Sequence, residues 1–463
     1  MRGLVTFLFF LVAFIPPAAA TDRARLDAVL AHAIEVGRYP GISVAIEKDG
    51  RIVYEKGMGI ADVETMRPVT PATVFPIGSI TKSFTHFSVL KLADAGKISL
   101  ADPVGHYLQD LKGPAAAVPL RHLLDHSSGI VNYTARSGYP EAEIRFGPEQ
   151  VLAFLAGRAL AFRPGERFSY SNSNSYLLGL IVEKVSGQPF ADYLAENIFK
   201  PFGMTTSRLA GYRAIIPDRA SGYEPAGQGY ENAAQYDVDY PFSAGAIMAT
   251  AADLIRYRRG LFEGNLTSQS IRDAIQAQRP LLDGTLNYYA WGALIGRAFE
   301  GHRKLSHSGV IEGFSAHYAY YPDDRLTIAV LTNLSHGAFM PYAIEHRLAR
   351  IMLGLKEPAI VDRPVPQAEA EAFAGDYVPF PFTFDAGRFG FVGKDGRMFL
   401  RYEGVNSPAP LEPLLYLGDG RFVAAADHEH SFTFDTARPR ARNVEIEFFD
   451  GRFPAARAPE SSN

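Results

Sequence analysis

Ser79-Ile80-Thr81-Lys82 sets a hydroxyl and an amine three residues apart at the expected start of a helix. On a helix, positions i and i+3 share a face and lie within reach of each other. A serine hydroxyl is a weak nucleophile until a neighbouring base takes its proton, and a lysine desolvated enough to stay neutral is such a base. The unpaired N–H groups of the helix N-terminus also stand where an oxyanion would develop. The spacing by itself is common, since Ser88-Val89-Leu90-Lys91 repeats it on the same helix. Context separates the two: Ser79 follows the Pro76-Ile77-Gly78 turn, whereas Ser88 sits in mid-helix with no approach for a substrate. Taken alone, Ser79 reads first as a helix N-cap.

Tyr170-Ser171-Asn172 stands just ahead of a helical stretch. From a tight loop it can aim a phenol that relays a proton and an amide that holds a lysine or a substrate carbonyl. Tyr230-Glu231-Asn232 has the same pattern, but the turn Phe162-Arg163-Pro164-Gly165 leads position 170 directly into a helix. The competing reading makes Tyr170 a core aromatic and Asn172 a cap. His307-Ser308-Gly309 opens an expected strand and is followed by Val310. Gly309 permits close approach by a ligand, and the Val310 backbone N–H can pair with that of Ser79 as an oxyanion hole. Each motif alone is weak; their joint order and contexts are not.

The elements that must position these residues are legible in outline. Ile42–Ile46 and Arg51–Tyr54 flank Asp49-Gly50, the signature of a hairpin with a type I′ turn. Ile80, Phe84, Phe87 and Leu90 recur at helical spacing from Ser79 to about Ala95. Residues 100–270 read as mostly helical, with Tyr176 to Val185 one clear helix and rim loops at 131–150 and 210–242. Strands are expected at Phe314–Tyr321 and Leu326–Leu331, then a helix around Ala343–Leu353. Pro358, Pro364 and Pro366 mark 354–368 as an extended linker. After it, Asp395-Gly396, Asp419-Gly420 and Asp450-Gly451 punctuate short alternating runs, which predict an all-β module over 369–455 and a disordered tail over 456–463.

Composition narrows the function classes. The 463 residues hold 46 Lys+Arg against 50 Asp+Glu, a net charge of −4, so no basic surplus exists to hold nucleic acid. The absence of cysteine excludes disulfides, thiolate metal sites, iron–sulfur clusters, a cysteine nucleophile and a lipidated N-terminal cysteine. No Gly-x-Ser-x-Gly elbow and no His-Glu-x-x-His motif appears; the chemistry needs no cofactor, and no residue is assigned to a metal. Arg2, the apolar run Leu4–Ile15 and Ala18-Ala19-Ala20 read as a signal peptide over 1–20. That run spans about 18 Å as a helix against a hydrocarbon core of roughly 30 Å. The expectation is a bacterial exported chain, periplasmic or secreted, with no stable membrane span after cleavage and a peptide or small-molecule substrate.

With these motifs in view, the chain resembles the serine β-lactamase and penicillin-binding superfamily, in particular its class C β-lactamase-like branch with D,D-peptidases, D-aminopeptidases and esterases. The likeness extends through the 42–58 hairpin, Leu123-Leu124-Asp125-His126-Ser127-Ser128-Gly129-Ile130, Pro164-Gly165 and the run from Ser243 to Asp253. It implies an α+β fold, an antiparallel sheet flanked by helices with an all-helical subdomain, over 21–353. The C-terminal module resembles a lipocalin-like barrel. The resemblance further implies that Ser79 is acylated, that Lys82 and Tyr170 share proton transfer, that Asn172 orients lysine and substrate, and that His307 lines the site opposite them. His122 and His126 are read as structural members of their motif. Histidine at 307, where many β-lactamases carry lysine, binds a carboxylate only when protonated and points to peptidase or esterase chemistry. The implied function is a serine hydrolase cutting a peptide, amide or ester bond. The alternatives are a β-lactamase and a catalytically silent peptidoglycan- or peptide-binding protein.

Overall fold

The computed structural model describes residues 17–135, 147–227, 229–292, 294–379, 386–404, 411–435, 440–448 and 451–458. Asp49 and Gly50 both take positive φ, 51° and 77°, the turn geometry that matches strand twist. The turn closes a hairpin of β1 (Gly41–Lys48) and β2 (Arg51–Asp62). The hairpin belongs to an eight-stranded antiparallel sheet with β3 (Arg67–Pro68), β4 (Tyr289–Ala290), β5 (Leu294–Phe299), β6 (His302–Ile311), β7 (Phe314–Tyr321) and β8 (Leu326–Thr332). The order is β4-β5-β6-β7-β8-β1-β2-β3. The two ends of the domain therefore meet where β1 pairs with β8, from Ile42 opposite Thr332 to Lys48 opposite Leu326.

The helices that position the site and cover the sheet are α1 (Pro17–Glu35), α2 (Thr81–Asp94), α3 (Asn172–Ser186), α4 (Ala251–Phe262) and α5 (Pro341–Leu353). Strand alternation sorts side chains into two layers. Ile42, Val44, Ile46, Ile328 and Val330 are buried with Leu26 and Leu30 of α1 and with Ile344 and Leu348 of α5. Ala45, Leu305, Tyr318 and Leu331 face the other way, into a larger core shared with α2, α3 and α4. The site lies in that second layer. Helix α1 runs through Ala18–Ala20 and the expected cleavage point, and residues 1–16 of the expected signal lie outside the described residues.

The stretch read as mostly helical contains strands as well. Arg208–Leu209 and Phe75–Pro76 flank Ile247–Ala249 in a small antiparallel sheet, and Tyr223–Ala226 pairs with Gly229–Asn232. Strands of two to four residues are too short for alternation to show in sequence.

After α5 the chain is irregular from 355 to 366, and the Arg363 N–H donates to the Tyr416 carbonyl at 2.9 Å. A short helix, α6 (Gln367–Phe373), leads into a closed eight-stranded barrel. Its strands are β9 (Gly375–Pro379), β10 (Ala386–Lys394), β11 (Arg397–Gly404), β12 (Glu412–Gly418), β13 (Arg421–Ala424), β14 (Ser431–Phe434), β15 (Asn443–Phe448) and β16 (Gly451–Arg457). Pairing of β9 with β16 closes the ring and abolishes its edges. Ala456 and Arg457, expected in a tail, are part of β16 because Ala456 pairs with both Val378 and Asn443. Asp395, Gly396, Asp419 and Gly420 all take positive φ, as their turns require; Asp450 lies outside the described residues.

The barrel is clasped to α5 by the loop between β13 and β14. Tyr342 Oη donates to Asp427 at 2.9 Å, and His346 Nδ1 lies 2.8 Å from Glu429. Arg350 donates to Glu429 at 2.7 Å and to Glu300 at 2.6 Å. The Arg350 side chain is only 5% exposed, so these carboxylates are its counterions in place of water.

Candidate active site

The nucleophile candidate sits in a 3-10 turn, Gly78–Ile80, immediately before α2. Ser79 does not cap the helix: neither N-cap position makes a side-chain hydrogen bond. Its hydroxyl is free to meet Lys82, whose Nζ lies 3.0 Å from Ser79 Oγ. Lys82 is wholly buried, and burial alone holds its pKa well below that of a free lysine. Its Nζ also donates to the Ala244 carbonyl at 2.7 Å. A neutral amine that spends one N–H on that carbonyl keeps its lone pair for the serine proton. Ala244 is brought there by packing. Thr85 Oγ1 donates to the Ser243 carbonyl at 2.6 Å, Ser243 Oγ donates to the Ser175 carbonyl at 2.9 Å, and Gly179 leaves the room that Ser243 fills.

Tyr170 closes the site. Lys82 Nζ lies 4.9 Å from the centre of its ring. Burial raises the phenol far above its ordinary range, and a hydrogen bond with Ser79 pulls it back only in part. The group is therefore a phenol, able to donate a proton. His126, read from sequence as structural, grips the residues on either side. Its carbonyl accepts from Ser169 N–H at 2.7 Å, and its Nδ1 accepts from Ser171 N–H at 3.2 Å and from the Asn174 amide at 2.9 Å.

Asn172 departs from expectation. Its amide donates to Thr134 Oγ1 at 2.9 Å, and its backbone N–H donates to Asn132. The Ala244 carbonyl is the backbone acceptor for Lys82 Nζ. Asn172 thus ties the 132–134 turn to the head of α3.

His307 is the sixth residue of β6, not near its opening, and it faces the Lys82 side of the sheet. Its Nδ1–H donates to the Ser308 carbonyl at 2.6 Å, which leaves Nε2 to accept from Tyr289 Oη at 2.9 Å. Burial, then the nearby Lys82, pulls its pKa down to about 3. His86 is likewise pulled down to about 3 by burial and by Lys82. These imidazoles are neutral at ordinary pH, so His307 supplies no cation for a carboxylate. Ser308, expected to line the site, points to the opposite face because alternate strand residues point apart. Its hydroxyl hydrogen-bonds His317 Nδ1 at 2.7 Å.

Gly309 and Gly78 let β6 and the 3-10 turn touch. A Cβ on Gly309 would fall 2.0 Å from the Ile77 carbonyl oxygen and 3.0 Å from Ser79 N. A Cβ on Gly78, whose φ is +50°, would fall 2.8 Å from Val310 N. The Ser79 and Val310 amides are therefore neighbours beside the serine hydroxyl. The rival motifs are elsewhere. Ser88 Oγ donates to the Phe84 carbonyl and Lys91 to the Asn197 carbonyl, while Tyr230 lies on an exposed hairpin.

The Beta-lactamase family model matches residues 26–350. The chain belongs to the Beta-lactamase family. Within it, the chain is 29% identical over 345 residues to Protein flp of Staphylococcus aureus (strain MW2), covering 72% of this chain and 67% of that protein. It is 31% identical over 313 residues to a D-aminopeptidase of Gluconobacter oxydans (strain 621H), covering 67% of this chain but 59% of the relative. Among solved structures, the octameric penicillin-binding protein homologue from Pyrococcus abyssi superposes with a TM-score of 0.65 at 26% identity, covering 94% of this chain and all of that one. The D-amino acid amidase of Ochrobactrum anthropi SV3, solved with L-phenylalanine amide, shares the fold at a TM-score of 0.64 and 21% identity, over 72% of this chain and 99% of its own. The family model ends before the barrel, and the chain is a serine hydrolase of β-lactamase fold. Among the described residues, no helix is long and apolar enough to cross a membrane, and no group of His, Asp and Glu is arranged to hold a metal ion.

Proposed function

We propose that this chain is an exported amidohydrolase that cleaves the amide bond of a D-aminoacyl substrate through an acyl-enzyme on Ser79. The observation that carries this reading is the 3.0 Å contact between Ser79 Oγ and a wholly buried, neutral-leaning Lys82. In the proposed first half-reaction, Lys82 Nζ takes the Ser79 proton as Oγ bonds to the scissile carbonyl carbon. The Ser79 and Val310 amides hold the resulting oxyanion. The Tyr170 phenol gives its proton to the departing nitrogen and is reprotonated from Lys82, the C–N bond breaks, and the amine leaves. Water then attacks the ester with the same base, restoring Ser79 and releasing the acid.

The D-aminopeptidase relative supports an amide of a D-amino acid as the substrate. A neutral His307 argues against the permanent cation that would capture a β-lactam carboxylate. The test is mass spectrometry of the intact protein and of its digest after exposure to a fluorophosphonate, together with turnover assays on D- and L-alanine p-nitroanilide. The expected result is one adduct on the Ser79 peptide, abolished in Ser79→Ala, and turnover of the D form. Labelling that persists in Ser79→Ala would overturn the assignment.

A further inference from the structure

Pro76 and Glu312, each two residues along the chain from the contact between Gly78 and Val310, line a cavity of about 280 Å³ that the proposed chemistry does not use. Pro76 stands three residues before Ser79 and Glu312 two residues beyond Val310, and Tyr212, Arg219, Tyr236 and Phe314 form other parts of the wall. At about 3.3 Å per residue, Glu312 is some 7 Å along the chain from the Val310 amide. A group attached to an acyl carbon on Ser79 would have to span a distance of about that order to meet it.

The polar groups here are unequally satisfied. Glu224 accepts from the Gly313 N–H at 3.0 Å and from Ser335 Oγ, and Glu64 accepts from the Asn232 amide at 2.8 Å. Arg219 Nη1 donates to the Tyr212 and Ala214 carbonyls, both at 3.1 Å. The Glu312 carboxylate has no ion pair among the described residues and only its own backbone N–H as a partner. Tyr236 Oη is nine-tenths buried and has no hydrogen-bond partner. Burial raises the Glu312 carboxyl, its own N–H lowers it, and the neighbouring Glu224 raises it again. A cation placed against Glu312 would relieve both destabilising effects.

We infer that this cavity is a subsite for a primary ammonium carried on the acyl half of the substrate, with Glu312 accepting the charge and Tyr236 Oη accepting a further N–H. The cavity lining holds two carboxylates, Glu64 and Glu312, against the single guanidinium of Arg219, which favours a cation over an anion. The rings of Tyr212, Tyr236 and Phe314 supply faces on which an ammonium gains further attraction. Glu312 and Tyr236 are thus specificity-determining residues for an aminoacyl group. This inference rests on the assignment of Ser79 as the acylated residue.

The test uses the full-length chain and two matched pairs of substrates, D-alanine and D-lysine p-nitroanilide, each with a free amine and N-acetylated. The wild type should favour the free-amine member of at least one pair by about tenfold or more in kcat/KM, expressed mainly in KM, as one charge-assisted contact predicts. Glu312→Gln should shrink that ratio to within about threefold, and Tyr236→Phe should shrink it in the same direction. Should Glu312→Gln fail to fold, Tyr236→Phe carries the comparison alone. No preference in the wild type, or a preference that both variants retain, would overturn the subsite. Fluorophosphonate labelling and p-nitrophenyl butyrate turnover by the wild type keep the two ideas apart. Labelled Ser79 with an insensitive ratio removes only the ammonium subsite, whereas an unlabelled Ser79 removes the acylation assignment and the subsite with it.

Discussion

The rings of His126 and Tyr170 lie 4.5 Å apart, tilted by 32°, while the His126 backbone and Nδ1 hold the amides on either side of the tyrosine. His126 therefore fixes Tyr170 from three directions as a positioning residue. His126 has φ +53°, so alanine there adds backbone strain, whereas asparagine tolerates that conformation and offers an acceptor near the place of Nδ1. We expect His126→Ala to lose about 10²-fold in kcat with little change in KM, as a displaced catalytic group does. His126→Asn should recover a large part of that loss. Equal losses in the two variants at matched thermal stability would show that the ring contact, not the hydrogen bonds, sets the tyrosine.

Lys82 is expected to work as a neutral base, because burial disfavours its charged form. Lys82→Arg keeps the reach but carries a positive charge that it cannot lose in the working range. Fluorophosphonate labelling of Ser79 should slow by about 10³-fold or more in Lys82→Arg, close to the deficit of Lys82→Ala. In the wild type, labelling should weaken on acidification as the amine takes up a proton. A Lys82→Arg protein that labels at the wild-type rate would show that the charge, not the lone pair, is what Ser79 needs.

Gly309→Ala should separate β6 from the 3-10 turn, because its Cβ would fall 2.0 Å from the Ile77 carbonyl oxygen. Losing the alignment of the Ser79 and Val310 amides should cost about 10²-fold or more in acylation. The measurement is labelling rate alongside far-UV circular dichroism, and an active Gly309→Ala enzyme would mean that the two amides do not act together.

Glu429 gives a pH-dependent attachment of the barrel. Burial raises its carboxyl, but His346 and Arg350 outweigh that and bring it down from 4.5 to about 2. A carboxyl depressed by folding stabilises the protein above its unfolded value and loses that contribution as pH falls through the folded one. Glu429→Gln should therefore destabilise the chain by on the order of 3 kcal/mol at neutral pH. The gap to wild type should close between pH 4.5 and about 2. Chemical denaturation across that range checks this, and a constant gap would place the stabilisation elsewhere.

The closeness of Ser79, Lys82 and Gly309 was legible because it depends on backbone position and short spacing, which a sequence displays directly. The Asp49-Gly50 hairpin was legible for the same reason. Ser308 was misplaced although the strand's own alternation puts it on the face away from His307. Asn172 and His126 could not be sorted from sequence, since their partners Thr134 and Tyr170 lie 38 and 44 positions away. What decides between cap, core and catalytic aid is which loops fold back together, and no local pattern encodes that. The clasp of Glu429 on α5 left no signal either, because a single acidic residue in a turn looks like any solvated one.

The contacts of Asp427 and Glu429 with α5 mean that the peptide between residues 356 and 361 is not the sole link between the barrel and the first domain. It acts as a tether, raising the local concentration of two surfaces that already fit. A protease that nicks this exposed stretch would leave two fragments travelling together at neutral pH, coming apart only once the Glu429 carboxylate is discharged. The chain would then be two polypeptides held together by side-chain contacts alone.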